Sequence, residues 1–139
     1  MTINPVGYIL HVGSNMWEID YRHVIWWLDR QDDQTVAHVF AALELLRDKG
    51  PGLDRPLVDS VKGSTVANMK ELRPASSSTS EVRLLFAFDP RRQAILLFAG
   101  DKSTGKKGRR RWSGWYKEAI PKAERIWREH LRELGEEDG

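Results

Sequence analysis

The chain has 139 residues, no cysteine, and 22 basic against 20 acidic side chains, a net charge of +2. That length supports one domain with a single core, and the lack of cysteine excludes disulfides and thiolate metal sites. No apolar run reaches the ~18 residues of a membrane span and the start lacks a secretion-signal pattern, so a cytoplasmic protein with no membrane contact is expected.

Residues 1–15 look irregular, because Asn4, Pro5, Gly7, Gly13, Ser14 and Asn15 break any period. They read as an N-terminal extension, mobile in character, with Met16 as an alternative start. Trp17, Ile19 and Tyr21 alternate with Glu18 and Asp20, the pattern of a half-buried strand. It is expected at a sheet edge or beside a central strand. Residues 22–30 carry Val24, Ile25, Trp27 and Leu28 and suit a short helix. Asp32 or Asp33 can cap the next one, which places Val36, Val39, Phe40, Leu43 and Leu46 on one face and stops at Lys49, Gly50 and Pro51. This helical hairpin is expected to pack on a sheet. His23 and His38 have no ligand-spaced partners, so no metal is implied.

Residues 51–67 read as a long connection without regular structure, since Gly52, Pro56, Gly63 and Ser64 interrupt it. Lys62-Gly63-Ser64 resembles half of a phosphate loop, but the GxxxxGK[ST] spacing is absent, which excludes that mode of nucleotide binding. Residues 69–73, 82–88 and 94–99 then read as three strands of an antiparallel meander. The last two are short, rich in Leu, Phe and Ile, and flank the turn Asp89-Pro90-Arg91-Arg92. Runs of that kind are strands buried on both faces.

Residues 101–115, DKSTGKKGRRRWSGW, hold Lys102, Lys106, Lys107, Arg109, Arg110 and Arg111 against one acid, with Gly105, Gly108 and Gly114 interspersed. They read as a flexible basic loop. Trp112, Trp115 and Tyr116 follow as interleaved aromatics. Cations that track phosphates beside rings that stack on bases are the ingredients of single-stranded RNA binding, although Trp115 also suits the core of the last helix. That helix is expected over residues 120–134, with Pro121 in its first turn and Ala119, Ala123, Ile126, Trp127, His130, Leu131 and Leu134 along one stripe. His130 reads as a packing residue. Residues 135–139 are an acidic tail.

Charge is unevenly distributed along this order. Residues 70–117 contain twelve bases and four acids, a net of +8. Such concentration is the footprint of a nucleic-acid binder, with a solvated basic face as the plainer alternative. If the second hairpin pairs Phe88 with Gln93, Arg83 falls opposite Phe98. If the first closes around residues 74–82, Arg73 falls opposite Arg83. Arg73, Arg83 and Lys102 then gather at one end of the sheet as a candidate phosphate site. The alternative is that Arg73 and Arg83 form ordinary ion pairs with Glu71 and Glu81.

Several segments together resemble the RelE/HigB-type toxins of bacterial and phage toxin–antitoxin modules, in their phage-derived HigB-like branch. They are Lys62-Gly63-Ser64, Asn68-Met69-Lys70-Glu71-Leu72-Arg73, residues 82–92, Gly100-Asp101-Lys102, Tyr116 with Ile120-Pro121, and His130-Leu131. The likeness spans residues 16–134 as one toxin domain. It implies an α+β fold, β-α-α-β-β-β-α, whose antiparallel sheet carries a helical hairpin on one face and a basic concave surface on the other, with a C-terminal helix. It also implies metal-independent mRNA cleavage at the ribosome by 2′-OH attack, with no cofactor. Carried over by position, Arg73 and Arg83 bind the scissile phosphate, and Lys102 adds charge or acts as acid. Glu71 is the base or the residue that orients Arg73. Lys62, Lys70, Lys106, Lys107, Arg109, Arg110, Arg111 and Trp112 hold RNA. The implied partners are mRNA, the ribosome and a cognate helix-turn-helix antitoxin, in a homodimer or a toxin–antitoxin hetero-oligomer. Two departures stand out: lysines that RelE carries on the strand of Met69 and Glu71 are missing, and the loop after Lys102 is longer and more basic. A ParE-like toxin acting on a replication protein, and an inactive relic that only binds RNA or its antitoxin, are the alternatives.

Overall fold

The structure, a computed structural model, describes residues 9–10, 16–75, 80–103 and 109–138, with side chains from residue 16 to 135 except 76–79 and 104–113. Its strands are β1 (Ile9–Leu10), β2 (Glu18–Asp20), β3 (Val58–Ser60), β4 (Lys70–Leu72), β5 (Val82–Phe88) and β6 (Gln93–Asp101). Its helices are α1 (Ile25–Leu28), α2 (Asp33–Lys49) and α3 (Arg109–Asp138). One sheet runs β1-β2-β6-β5-β4-β3. No helix among the described residues is long and apolar enough to cross a membrane.

The expected α+β architecture is present, and its antiparallel meander is β4-β5-β6. The sheet as a whole is mixed, because β2 joins β6 in parallel. Two strands extend the expected order. Ile9–Leu10 pair with β2, and the other residues of 1–15 lie outside the described residues. Within the supposed irregular connection, Val58–Ser60 pair with β4 as an edge strand. Three residues are too few for alternation to show above the surrounding Pro and Gly.

β5 and β6 are sandwiched. On one face Leu84, Phe86, Ala94, Leu96 and Ala99 pack against the hairpin residues Leu28, Val39, Leu43 and Leu46. On the other, Leu85, Ala87, Ile95 and Leu97 pack against Ala119, Ala123 and Trp127 of α3. Each strand therefore shows a continuous apolar run. α2 begins where expected: the Asp32 carboxylate accepts from Thr35 N at 2.7 Å, satisfying an orphan donor of the first turn. It ends at Gly50, whose φ of 52° and 2.2 Å clearance from the Trp17 indole to a would-be Cβ both call for glycine.

The second hairpin differs in register from expectation. Phe88 pairs with Ala94 and Arg83 with Gly100. Arg92 adopts φ 63°, so Asp89–Arg92 forms a turn followed by a left-handed residue, which lengthens the loop by one. An irregularity then leaves Leu97 unpaired, between Leu96 opposite Phe86 and Phe98 opposite Leu85. This bulge adds a second one-residue offset.

α3 also starts earlier than expected. Residues 109–112, read as part of a flexible loop, are helical, and Pro121 lies inside the helix rather than in its first turn. The glycines at 105, 108 and 114 suggested a break that the helix does not make at Gly114. Leu131, expected on the buried stripe, is 40% exposed.

Candidate phosphate-binding cleft

α3 packs on β5 and β6 and leaves the β3–β4 edge open beside it. Where a basic concave surface is implied, this edge carries a cleft of about 510 Å³ lined by Arg55, Asp59, Ser60, Val61, Lys62, Glu71, Arg73 and Tyr116. Strand alternation decides which side chains reach it. Asp59 and Glu71 are directly paired across β3–β4. Arg73 and Arg83 follow immediately beyond the last β4–β5 pair, Leu72 with Leu84. The expected placement of Arg73 beside Arg83 therefore agrees with the ladder.

Glu71 is the centre of the cluster and only 3% exposed. Its Oε1 accepts from Arg73 Nε at 2.9 Å and Nη2 at 2.6 Å. Its Oε2 accepts from the Tyr116 hydroxyl at 2.6 Å. Arg73 Nη2 also donates to Asp59 Oδ2 at 3.1 Å, and Arg55 pairs with the same Asp59 oxygen at 3.2 Å. The ordinary ion pairing weighed for Arg73 is thus what the structure contains.

Arg83 is different. Its side chain is 12% exposed against 32% for Arg73. Its Nη1 donates to the Val82 carbonyl at 2.8 Å. It too is ion-paired, more loosely, with Glu71 at 3.9 Å and Glu81 at 4.0 Å, as the ion-pair alternative expected, but both contacts are longer than a hydrogen bond. Arg83 Nε is buried without a hydrogen-bond partner. A buried donor left unfilled is costly and marks a place where an acceptor from outside would be welcome.

Electrostatics follow from this packing. Burial, then the Arg83 charge, lowers the Lys102 pKa; the Lys102 ammonium lies 6.0 Å from the Tyr116 ring centre. Burial and the bond to Glu71 push the Tyr116 pKa up, which keeps its hydroxyl a donor. Burial alone would lower the Arg73 pKa, but the Glu71 bond outweighs it and holds the guanidinium charged. The cleft lining carries Arg55, Lys62 and Arg73 against Asp59 and Glu71, three positive charges to two negative.

Of the residues singled out from sequence, Glu71, Arg73 and Lys62 line the cleft, Arg83 lies behind it against Glu71, and Lys102 lies beside Tyr116. Lys70 instead lines an adjoining cleft with Pro51, Leu53, Asp54 and Val58, which shares only Asp59 and Ser60 with the first. Lys106 and Lys107, and the side chains of Arg109, Arg110, Arg111 and Trp112, lie outside the described residues. Tyr116 and Asp59 were not among the site residues. Tyr116 stood in the family-like segments and beside the basic run, which was its only signal; Asp59 gave none. Among the described residues no group of three or more His, Asp or Glu could hold a metal ion.

The chain is 50% identical over 118 residues to a protein named "Putative toxin HigB2" of Mycobacterium tuberculosis (strain ATCC 25618 / H37Rv), covering 85% of this chain and 56% of that one. It is 48% identical over 98 residues to "Putative toxin HigB3" of the same strain, covering 70% of this chain and 78% of that one. The chain thus spans little more than half the length of the first of these relatives. No solved structure matches. The model of the phage-derived Gp49-like family, "Phage derived protein Gp49-like (DUF891)", matches residues 26–128, from α1 through most of α3, and the chain belongs to that family.

Proposed function

We propose that this protein is the toxin of a type II toxin–antitoxin module, and that it acts in the cytoplasm as a metal-independent, ribosome-dependent mRNA endoribonuclease held in check by a helix-turn-helix antitoxin. The toxin names of its relatives support the first part. The observation that carries the second is Arg83, a nearly buried guanidinium whose Nε makes no hydrogen bond and only a long ion pair with Glu71. Nε is covered in this conformation, so the guanidinium would turn toward the cleft for a phosphate oxygen to fill that donor, and charge growing on the phosphate during 2′-OH attack would strengthen the bond in the transition state.

The other groups fall into supporting roles. Arg73 is fixed by Glu71 and Asp59 and presents a charged edge to the cleft. Glu71 already accepts three hydrogen bonds, so it suits orienting Arg73 and Tyr116 better than taking a proton. Lys102, its pKa lowered by burial and the Arg83 charge, suits giving a proton to the leaving 5′ oxygen, while water takes the proton of the attacking 2′-OH and reprotonates the amine afterwards. Lys62 lines the cleft where the strand would leave it.

The test is cleavage of a translated mRNA by the purified protein, scored by 2′,3′-cyclic phosphate or 3′-phosphate ends. Arg83→Ala should lower the rate roughly 10²–10³-fold, as removal of one charge-stabilising donor does. Unchanged cleavage would remove Arg83 from the site. The double pairing of Arg73 favours a second reading, a ParE-like toxin or an inactive relic that binds without cleaving. Intact mRNA with falling DNA supercoiling, or intact mRNA alone, would select between those two.

A further inference from the structure

A row of rings leads out from the cleft, exposed at Trp26 and half-buried against the core at Phe98 and Trp115. Trp26 on α1 is 46% exposed and lies 5.7 Å from Phe98 of β6, tilted at 45°. Phe98 lies 6.2 Å from Trp115 of α3, and Trp115 lies 5.0 Å from Tyr116. The row ends at the Tyr116 hydroxyl, which is bonded to Glu71. Cations sit over three of the four rings: Arg30 at 5.7 Å from Trp26, Lys122 at 5.4 Å from Phe98 and Lys102 at 6.0 Å from Tyr116. The backbone makes room for this arrangement. A Cβ on Gly100 would stand 2.4 Å from Trp115 Nε1, so the absence of a side chain there lets the indole lie over the strand.

We propose that the Trp26–Phe98–Trp115 row is a binding track for single-stranded RNA, along which unpaired bases stack while Arg30 and Lys122 meet the backbone phosphates. This rests on the RNA-cleaving reading of the cleft, into which the track leads. Every base has a π face, so rings bind single strands without regard to sequence, and cations beside them supply the salt-dependent share. An apolar helix from a protein partner would have to cover or desolvate these ammonium and guanidinium groups; a polyanion uses them. Glu118, exposed on α3 one turn after Trp115 and one turn before Lys122, is the acid on the same flank.

The test measures fluorescence anisotropy of a short, unstructured, fluorescein-labelled oligouridine, 2′-O-methylated, with the full-length protein. Trp26→Ala should raise Kd at least about fivefold, the loss of one base–ring stack, and Trp26→Phe should keep most of the affinity. Lys122→Glu should raise Kd and flatten its salt dependence, while Glu118→Lys should lower Kd. A duplex of the same length should bind more weakly than the single strand. Wild-type affinity in Trp26→Ala, equal binding of duplex and single strand, or no binding at all would overturn the track. A 2′-O-methyl strand carries no nucleophile, so either result here is independent of whether the cleft cleaves.

Discussion

Two carboxylates are almost equally buried in this protein, Asp89 at 5% and Glu71 at 3% exposed, yet they sit in opposite kinds of place. Asp89 closes the β5–β6 turn. Its Oδ1 accepts from Arg91 N and Gln93 N at 2.9 Å each, and its Oδ2 from Gln93 Nε2 at 2.9 Å and His130 Nε2 at 2.8 Å. Three of those donors come from its own turn and the fourth staples the turn to α3. Glu71 takes all its hydrogen bonds from side chains, Arg73 and Tyr116, at the wall of an open cleft. Backbone donors cannot be re-aimed; side chains can. Burial alone therefore does not mark a functional carboxylate, whereas burial with long, movable cationic partners facing a cleft does.

The contrast breaks most visibly at Asp89. Asp89→Ala should cost about 3 kcal/mol of stability, because it orphans two backbone N–H groups and the buried His130. Urea denaturation would check this, and a loss below about 1 kcal/mol would erase the distinction. Tyr116→Phe should cost less, about 1.5 kcal/mol, the worth of a hydrogen bond to a charged group, because Arg73 still holds Glu71. Glu71→Gln tests the role of the cleft carboxylate directly. The amide oxygen can still accept from Arg73, and its NH2 can donate to a Tyr116 hydroxyl turned to accept, so mRNA cleavage should fall less than about tenfold. A general base would lose about 10²–10⁴-fold on the same substitution, which would move Glu71 from orienting group to proton acceptor.

Much of this arrangement was legible in sequence where period was long and burial one-sided. The capped, Gly-terminated α2 and the two apolar runs of β5 and β6 carry their pattern over seven or more residues, and each formed. Adjacent placement of Arg73 and Arg83 needed only the β4–β5 ladder. What was hidden depended on single residues. The left-handed Arg92 moved the second hairpin by one pair, because nothing in Asp-Pro-Arg-Arg demands a positive φ. β3 was too short to alternate, and so Asp59, which it carries into the cleft, was invisible. Pro121 and Gly114 argued for a late helix start. Both are tolerated because the Ala119–Ala123–Trp127 face packs on the sheet, and tertiary burial outweighs local propensity. Tyr116 follows from the same error: a helix that begins at residue 109 aims it at Glu71, whereas a loop there gives it no direction.

The finest separation between the two carboxylates is their response to acid. Burial on its own would raise the Asp89 pKa, but the bonds from His130, Gln93 and Arg91 outweigh it and hold it below 3.8. A carboxyl whose pKa is depressed on folding adds stability at pH values above the unfolded pKa, and loses it as pH falls through the folded one. For Asp89 that window opens near pH 3.8 and extends downward. Asp89→Asn cannot titrate, so it should start less stable at neutral pH and approach the wild type as pH drops below about 4. Stability measured by urea denaturation at successive pH values should give converging curves. Parallel curves would mean that the turn is held by the shape of its hydrogen bonds alone, with the charge contributing nothing, and Asp89 would then be as replaceable by an amide as Glu71 is expected to be.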